Sequence, residues 1–130
     1  MIFMKVNDTL YPADITGKAI DREWDNRESK QITVRMDYAT ANVLFVDDLA
    51  WSIVERNEVP VYQKDESGDF VLDDNGNLIQ IGTEVQEREW DNRAFTIAGD
   101  ITDHRDGTLT AKMGKLTELE EAYVILLGGM

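Results

Sequence analysis

Short segments in which apolar and polar residues alternate, separated by turn residues, constrain the fold of this chain most. From Lys30 to Met36 every second residue is apolar, which is the period of a β-strand with one buried face and one wet face. Asn75-Gly76 and Asp106-Gly107 each stand between apolar segments, and such pairs are typical of tight hairpin turns. At Asn75-Gly76 we expect a type I′ turn, in which both central residues have positive φ. The pattern predicts a mostly antiparallel sheet built from hairpins. Further strands are predicted at Ile2–Val6, Leu49–Glu55, 95–101 and Leu109–Met113.

Two helices are also predicted. Asp37 is suited to cap a helix over residues 38–47, where apolar residues return at helical spacing. Near the end of the chain, Thr117 and Glu120 form a capping-box pattern, and Gly128 stands where a C-cap glycine belongs. We expect this last helix to pack on the sheet through one face. The residues of that face are Leu119, Ala122, Tyr123 and Leu126.

Together these segments predict one α+β domain over residues 1–130: a mostly antiparallel twisted sheet packed by two helices. Residues 57–84 place short apolar pairs among turn residues, so we expect a protruding β-hairpin there. The expected core residues are Ile32, Val34, Met36, Leu44, Phe45, Trp51, Ile53, Phe95, Ile97, Leu119, Tyr123 and Leu126, with Trp24 and Trp90 at two corners.

The hexapeptide REWDNR occurs twice, at residues 22–27 and 88–93. The likeness fades outside these six residues, so it does not indicate a duplicated domain. The composition suits a corner between strands: a buried Trp, an Asp-Asn pair that tolerates left-handed φ, and Arg and Glu paired at the surface. The alternative is a Trp-Asp-Arg site that stacks a sugar or a base. The candidate interaction residues are Trp24, Asp25, Arg27, Trp90, Asp91 and Arg93.

The chain is strongly acidic, with 13 basic and 26 acidic residues and a net charge of −13. This field repels nucleic acid phosphates and anionic lipid, so neither is an expected partner. The acidic surface either keeps the protein dissolved or docks on a basic partner. The run that opens the chain has no basic segment before it, and Tyr123–Met130 is too short to span a bilayer. We expect a cytoplasmic or virion-associated protein.

No catalytic constellation stands out. Without cysteine there is no thiol nucleophile, disulfide or zinc–thiolate site. The single histidine, His104, lies between Asp103 and Asp106, a conceivable set of metal ligands, but an exposed turn histidine is the better interpretation. The acidic residues near Asn75-Gly76 do not follow the spacing of a calcium-binding loop. We therefore expect no enzyme, no catalytic residues, no cofactor and no metal.

Two stretches carry a resemblance to a known family: EWDNRES with YATANVLFVDDLAWSIV, and AGDITDHRDGTLTAKMGKLTELEEAYVILLGG. There the chain resembles small proteins encoded in prophages and other mobile elements of gut Firmicutes. The likeness covers most of the chain except residues 57–84. It implies a phage-type accessory or structural gene product, and it brings no activity or binding residue with it.

The leading hypothesis is a non-enzymatic structural or assembly protein of a phage-like element, acting through protein–protein contacts. Its partners would be further copies of the chain or a phage or host protein. The alternative is an acidic binding module that docks on a basic site of a host protein. A hydrolase that uses paired carboxylates is the weakest alternative, since no pair of acidic residues is singled out.

Overall fold

Strands dominate the computed structural model of the protein, which describes residues 1–128. They are β1 (Ile2–Val6), β2 (Thr9–Asp21), β3 (Arg27–Arg35), β4 (Ser52–Tyr62), β5 (Gln80–Asp91), β6 (Ile97–Asp103) and β7 (Thr108–Gly114). The helices are α1 (Tyr38–Leu44) and α2 (Glu118–Gly128). One seven-stranded open sheet has the order β5-β4-β1-β2-β3-β7-β6, and all neighbours are antiparallel. The predicted antiparallel sheet with two helices is confirmed, in a fold that is mainly β and α+β only in the broad sense.

The long strand β2 joins two halves of the sheet. Its first residues, Thr9–Pro12, pair with β1, whereas its pairing with β3 begins at Ala13. One half therefore holds β5, β4 and β1, and the other holds β3, β7 and β6.

One hydrophobic core lies against the sheet and is closed by α1. Its buried members are Met4, Val6, Ile32, Val34, Ala41, Phe45, Trp51, Phe95, Leu109, Ala111 and Met113. Alternate residues of β3 and β7 point into it, as the period of two predicts for β3. Met36, Leu44 and Ile53 pack at its margin, and Ile97, which was expected inside, is only partly buried.

Helix α1 begins as predicted but ends early. The side chain of Asp37 accepts a hydrogen bond from the backbone N–H of Thr40 at 2.7 Å, so the predicted N-cap is confirmed. The helix ends at Leu44 rather than at residue 47. The loop after it is tied to β6, since Asp47 Oδ1 accepts from the N–H of Ala98 at 2.9 Å. The N–H of Asp48 also donates to the Thr96 carbonyl at 2.7 Å, and Asp48 has a φ of 62°, so this segment is held against residues 96–98 and is not helical.

Strand β4 starts later and runs further than predicted. It begins at Ser52 rather than Leu49 and continues to Tyr62, because β5 pairs with it along its whole length. Just before it, the Trp51 side chain is buried in the core, and its carbonyl accepts from the N–H of Asn92 at 2.9 Å. Trp51 is thus a core residue outside the strand.

Residues 57–84, which we call the arm, form a hairpin that extends beyond the other strands of the sheet. Strand β1 pairs with β4 only over Ser52–Glu55, so in the arm β4 pairs with β5 alone. At the tip, Asp73 Oδ1 accepts from the N–H groups of Asn75 and Asn77, both at 2.9 Å. Gly76 has a φ of +79° but Asn75 does not have a positive φ. The predicted turn is therefore present, while its type I′ conformation is wrong.

Helix α2 has the predicted start but not the predicted packing. The N–H of Thr117 donates to Glu120 Oε1 at 2.9 Å, and the N–H of Glu120 donates to Thr117 Oγ1 at 3.2 Å, so the capping box is confirmed. The helix continues through Gly128, and the residues that would show a C-cap lie outside the described part. The prediction that Leu119, Tyr123 and Leu126 belong to the core is wrong, since these side chains are 82%, 61% and 65% exposed.

Candidate functional site

The first REWDNR copy makes the corner between β2 and β3, which we call the first corner (residues 21–27). The N–H groups of Trp24 and Asn26 both donate to the carbonyl of Asp21, at 3.0 and 2.9 Å. Asp25 and Asn26 have φ values of 57° and 59°. Aspartate and asparagine tolerate this left-handed region better than most residues do. The predicted corner, with its left-handed Asp-Asn pair, is confirmed here.

Arg27 fastens the first corner to the start of α2. Its guanidinium Nη1 donates to the Lys115 carbonyl at 3.0 Å and to Glu120 Oε1 at 2.8 Å. Its Nε donates to the Trp24 carbonyl at 3.2 Å, and the side chain is only 4% exposed. The surface Arg–Glu pair expected across the corner is therefore wrong: Arg27 is buried and reaches residues about 90 positions away.

Asp21 anchors the corner from inside. Its buried carboxylate accepts from Ser29 Oγ at 3.0 Å, Lys112 Nζ at 3.3 Å and the N–H of Glu23 at 3.2 Å. Burial by itself raises the pKa of Asp21, but the hydrogen bonds from Ser29 and Lys112 outweigh it and hold that pKa below its usual value. The carboxylate is thus charged and fully engaged in holding β2, β3 and β7 together.

The Trp24 indole packs against two glycine residues, Gly99 and Gly114. A Cβ added to Gly99 would stand 2.7 Å from Trp24 Cη2, and one added to Gly114 would stand 2.8 Å from Trp24 Cζ3. The Arg27 guanidinium lies 4.9 Å from the centroid of the same ring. Because β6, β7 and Arg27 contact the ring, Trp24 serves as a packing residue of the corner rather than as an open stacking platform.

The second REWDNR copy is not a corner. Residues 88–91 are the last residues of β5, and Trp90, opposite Ile53, is 45% exposed. Neither Asp91 nor Asn92 has a positive φ. The ladder between β4 and β5 fixes an extended backbone up to Asp91, so the prediction of a second corner with a buried Trp90 is wrong.

The two copies lie in different halves of the sheet. The first corner packs on β6 and β7, whereas the second copy ends β5 at the opposite edge. Within residues 1–128, no hydrogen bond, ion pair or aromatic contact joins Trp24, Asp25 or Arg27 to the second copy. The six candidate residues therefore lie in two separate places and do not form one site.

The polar side chains of the turn that contains His104 form hydrogen bonds with nearby residues. His104 Nε2 lies 2.7 Å from Thr110 Oγ1, and Asp103 Oδ1 accepts from the N–H of Arg105 at 2.8 Å. Hydrogen bonds from Thr108 hold the pKa of Asp106 below its usual value. No group of three or more His, Asp or Glu side chains in the described part of the chain is placed to hold a metal ion.

Helix α2 carries the largest group of exposed apolar side chains in the described part of the chain. Its exposed apolar side chains, with their exposed fractions, are Leu119 (82%), Tyr123 (61%), Val124 (55%), Ile125 (75%), Leu126 (65%) and Leu127 (49%). Residues 122–127 carry no charge. The sequence did contain the signal: the four consecutive apolar residues from Val124 to Leu127 cannot share one helix face. A helix that is apolar on every side needs more than one surface to cover it.

A second uncharged surface lies beside α1. We call it the groove; its apolar lining includes Val6, Tyr11, Ala39, Val43, Leu44 and Leu49. It has a volume of about 630 Å³, and no charged side chain lines it. Val43 is 77% exposed at its rim. Sequence reasoning missed the groove, because it forms only where α1 meets the turn between β1 and β2.

Neither the helices of the chain nor comparisons with known proteins indicate its function. Within residues 1–128, no helix has the length and apolar character needed to cross a membrane. No protein-family model, curated protein or solved structure matches the chain.

Proposed function

We propose that this chain is a non-enzymatic structural or assembly protein that acts through protein–protein contacts. The observation that carries the proposal is α2, which presents six large apolar side chains to water. Within residues 1–128, the side-chain hydrogen bonds that join α2 to the sheet are those between Arg27 and Glu120 in its first turn. Exposed apolar surface of this size is typical of interaction sites.

The setting of this role is a phage-like element, in the cytoplasm or in a virion. The resemblance of residues 23–54 and 98–129 to prophage-encoded proteins supports that setting. The second resembling stretch contains the whole of α2. The contact surface therefore lies in the part of the chain that carries the resemblance, whereas the arm lies outside it.

Molar mass in solution tests the proposal. We expect light scattering on a sizing column to give a discrete assembly larger than the 14.8 kDa chain, growing with protein concentration. Ile125→Lys, on the exposed side of α2, should reduce the mass to that of one chain. Ile20→Lys is the matched control, since Ile20 is 64% exposed on β2. A wild-type mass of one chain at every concentration contradicts self-assembly.

The arm favours a second candidate, an acidic module that docks on a basic site. Residues 57–84 carry seven acidic side chains and one lysine, a net charge of −6 on a projecting hairpin. Such a contact weakens as salt screens the charges. Binding of a basic partner that survives Ile125→Lys, but is lost at high salt, would favour this candidate over assembly through α2.

A further inference from the structure

We propose that α2 of one molecule docks in the groove beside α1 of a second copy of this chain. The inference rests on the proposed function, because it names the partner of the same helix. It joins the two uncharged apolar surfaces described above. Three properties of the molecule argue for a second copy as the occupant: charge, placement and area.

Charge selects which surfaces of two copies can meet. Each molecule carries a net charge of −13, so most approaches bring acidic surfaces together. Residues 122–127 of α2 are neutral, and so are all side chains that line the groove. A contact between these two surfaces therefore buries apolar area without placing two carboxylates against each other.

Placement separates α2 from the groove of its own molecule. The first corner, which holds the start of α2, packs through Trp24 on Gly99 of β6. Helix α1 turns Tyr38 and Asn42 toward β6. The groove residues Ala39 and Val43 are one position further along, and so lie on a different side of α1. Among the described residues, none of α2 lines the groove, so the helix does not occupy the groove of its own molecule.

The exposed apolar side chains of α2 supply a large part of the area that a specific interface needs, and the groove covers the side of the helix that docks in it. Its six apolar side chains are each 49% exposed or more. Together they present on the order of several hundred Å², against roughly 800 Å² per partner in standard interfaces. A contact between two different surfaces can repeat from copy to copy, so it generates a ring, a filament or a reciprocal dimer.

Two single variants test the two sides of the contact. Ile125→Lys changes the helix and Val43→Lys changes the groove; both positions are at least 75% exposed, so the fold of the single chain is unaffected. Lysine makes the net charge less negative, so lost association cannot reflect added acidic repulsion. We expect light scattering to give a one-chain mass for each variant, and the wild-type mass for the Ile20→Lys control.

Mixing the two variants provides the decisive measurement. The Val43→Lys chain keeps an intact α2, and the Ile125→Lys chain keeps an intact groove. An equimolar mixture should therefore form a species of about twice 14.8 kDa and nothing larger. Recovery on mixing also shows that both variants are folded.

The outcomes separate this inference from the proposed function. If Ile125→Lys is a single chain while Val43→Lys keeps the wild-type mass, α2 mediates assembly but the groove does not receive it, and the inference alone is overturned. If both variants are single chains but their mixture stays so, docking between copies in this arrangement is overturned. A wild-type protein that is always a single chain overturns both the inference and self-assembly.

Discussion

Arg27 and Arg93 are the last residues of identical hexapeptides, yet they do different work. The Arg27 side chain is 4% exposed and binds two carbonyl groups and Glu120. The Arg93 side chain is 71% exposed and pairs with Asp91 at 2.8 Å. Local sequence is the same in both places, so the difference comes from the partners that the fold supplies.

Replacing each arginine by methionine should separate these roles. We expect Arg27→Met to lower the free energy of unfolding by roughly 2–3 kcal/mol, because it removes a buried charge and leaves part-buried acceptors without their donor. Arg93→Met should change it by at most about 0.5 kcal/mol, since the pair is exposed. Urea unfolding measures both. Equal effects would contradict the anchoring role of Arg27.

Gly114 and Gly82 provide a second pair with opposite expected signs. A Cβ at Gly114 would meet Arg27 Cδ at 2.7 Å, so Gly114→Ala should destabilise the protein by about 1–3 kcal/mol. Nothing lies within 4 Å of a Cβ at Gly82, and its φ is not positive. Gly82→Ala should be neutral or stabilise by up to about 1 kcal/mol. Thermal unfolding measures the stability of both variants. If Gly114→Ala has no effect on stability, Trp24 does not require a glycine at position 114.

Acid should loosen the attachment of α2. The N–H of Thr117 and the guanidinium of Arg27 lower the pKa of Glu120 below its usual 4.5. A lowered pKa in the folded state gives stability that is present above pH 4.5 and is lost as pH falls through the folded value. Glu120→Gln should thus be less stable than wild type at neutral pH, and the difference should vanish in acid. Urea unfolding at several pH values checks this, with Glu118→Gln as the control for a charge in the same turn.

Residue types indicated that Asp25 and Asn26 tolerate left-handed φ, but the same pair at Asp91 and Asn92 does not adopt it, so the fold decides whether that tolerance is used. Residue types did not predict the burial of Arg27. Its partners lie 88 and 93 residues further along the chain, and no local pattern reports them.

At the scale of elements, caps and strand periods were predicted well because both are local. The Asp37 N-cap and the capping box of α2 follow from single side chains reaching nearby backbone groups. The side on which α2 packs was not predictable in the same way. Its apolar residues encircle the helix, so choosing Leu119, Tyr123 and Leu126 as the inner face selected one stripe among several.

Hydrogen exchange should show that α2 is stable only when it is covered. An isolated helix of this length is marginal in water, and beyond its first turn α2 makes few contacts with its own molecule. We expect amides of residues 122–127 to exchange rapidly in dilute protein and slowly in concentrated protein. Amides of β3 and β7 should be equally protected in both. Protection of α2 that does not depend on concentration would contradict docking between copies.

At the scale of the whole molecule, the order of the strands in the sheet could not be predicted from the sequence. Hairpin signals pair neighbours such as β6 and β7, but nothing local states that β1 lies between β4 and β2. That placement depends on which strands together enclose the core. The groove beside α1 is a product of the same assembly and was missed for the same reason.

Salt should strengthen self-association. The surfaces that meet are neutral, while the rest of each copy carries the net charge of −13 and repels its neighbour. Screening this repulsion favours assembly, so the assembled fraction should rise between low and high ionic strength. Light scattering in a salt series measures it. Dissociation by added salt would instead point to charge-mediated contacts such as those expected for the arm.

The three tryptophans stand in three different surroundings. Trp51 is sealed in the core with its Nε1 donating to the Phe95 carbonyl, Trp24 rests on glycine beneath a guanidinium, and Trp90 is half in water. Indole fluorescence depends on such surroundings, so the protein contains three intrinsic optical probes. Chains that keep only one tryptophan would report separately on the core, on the corner that holds α2, and on the edge from which the arm projects.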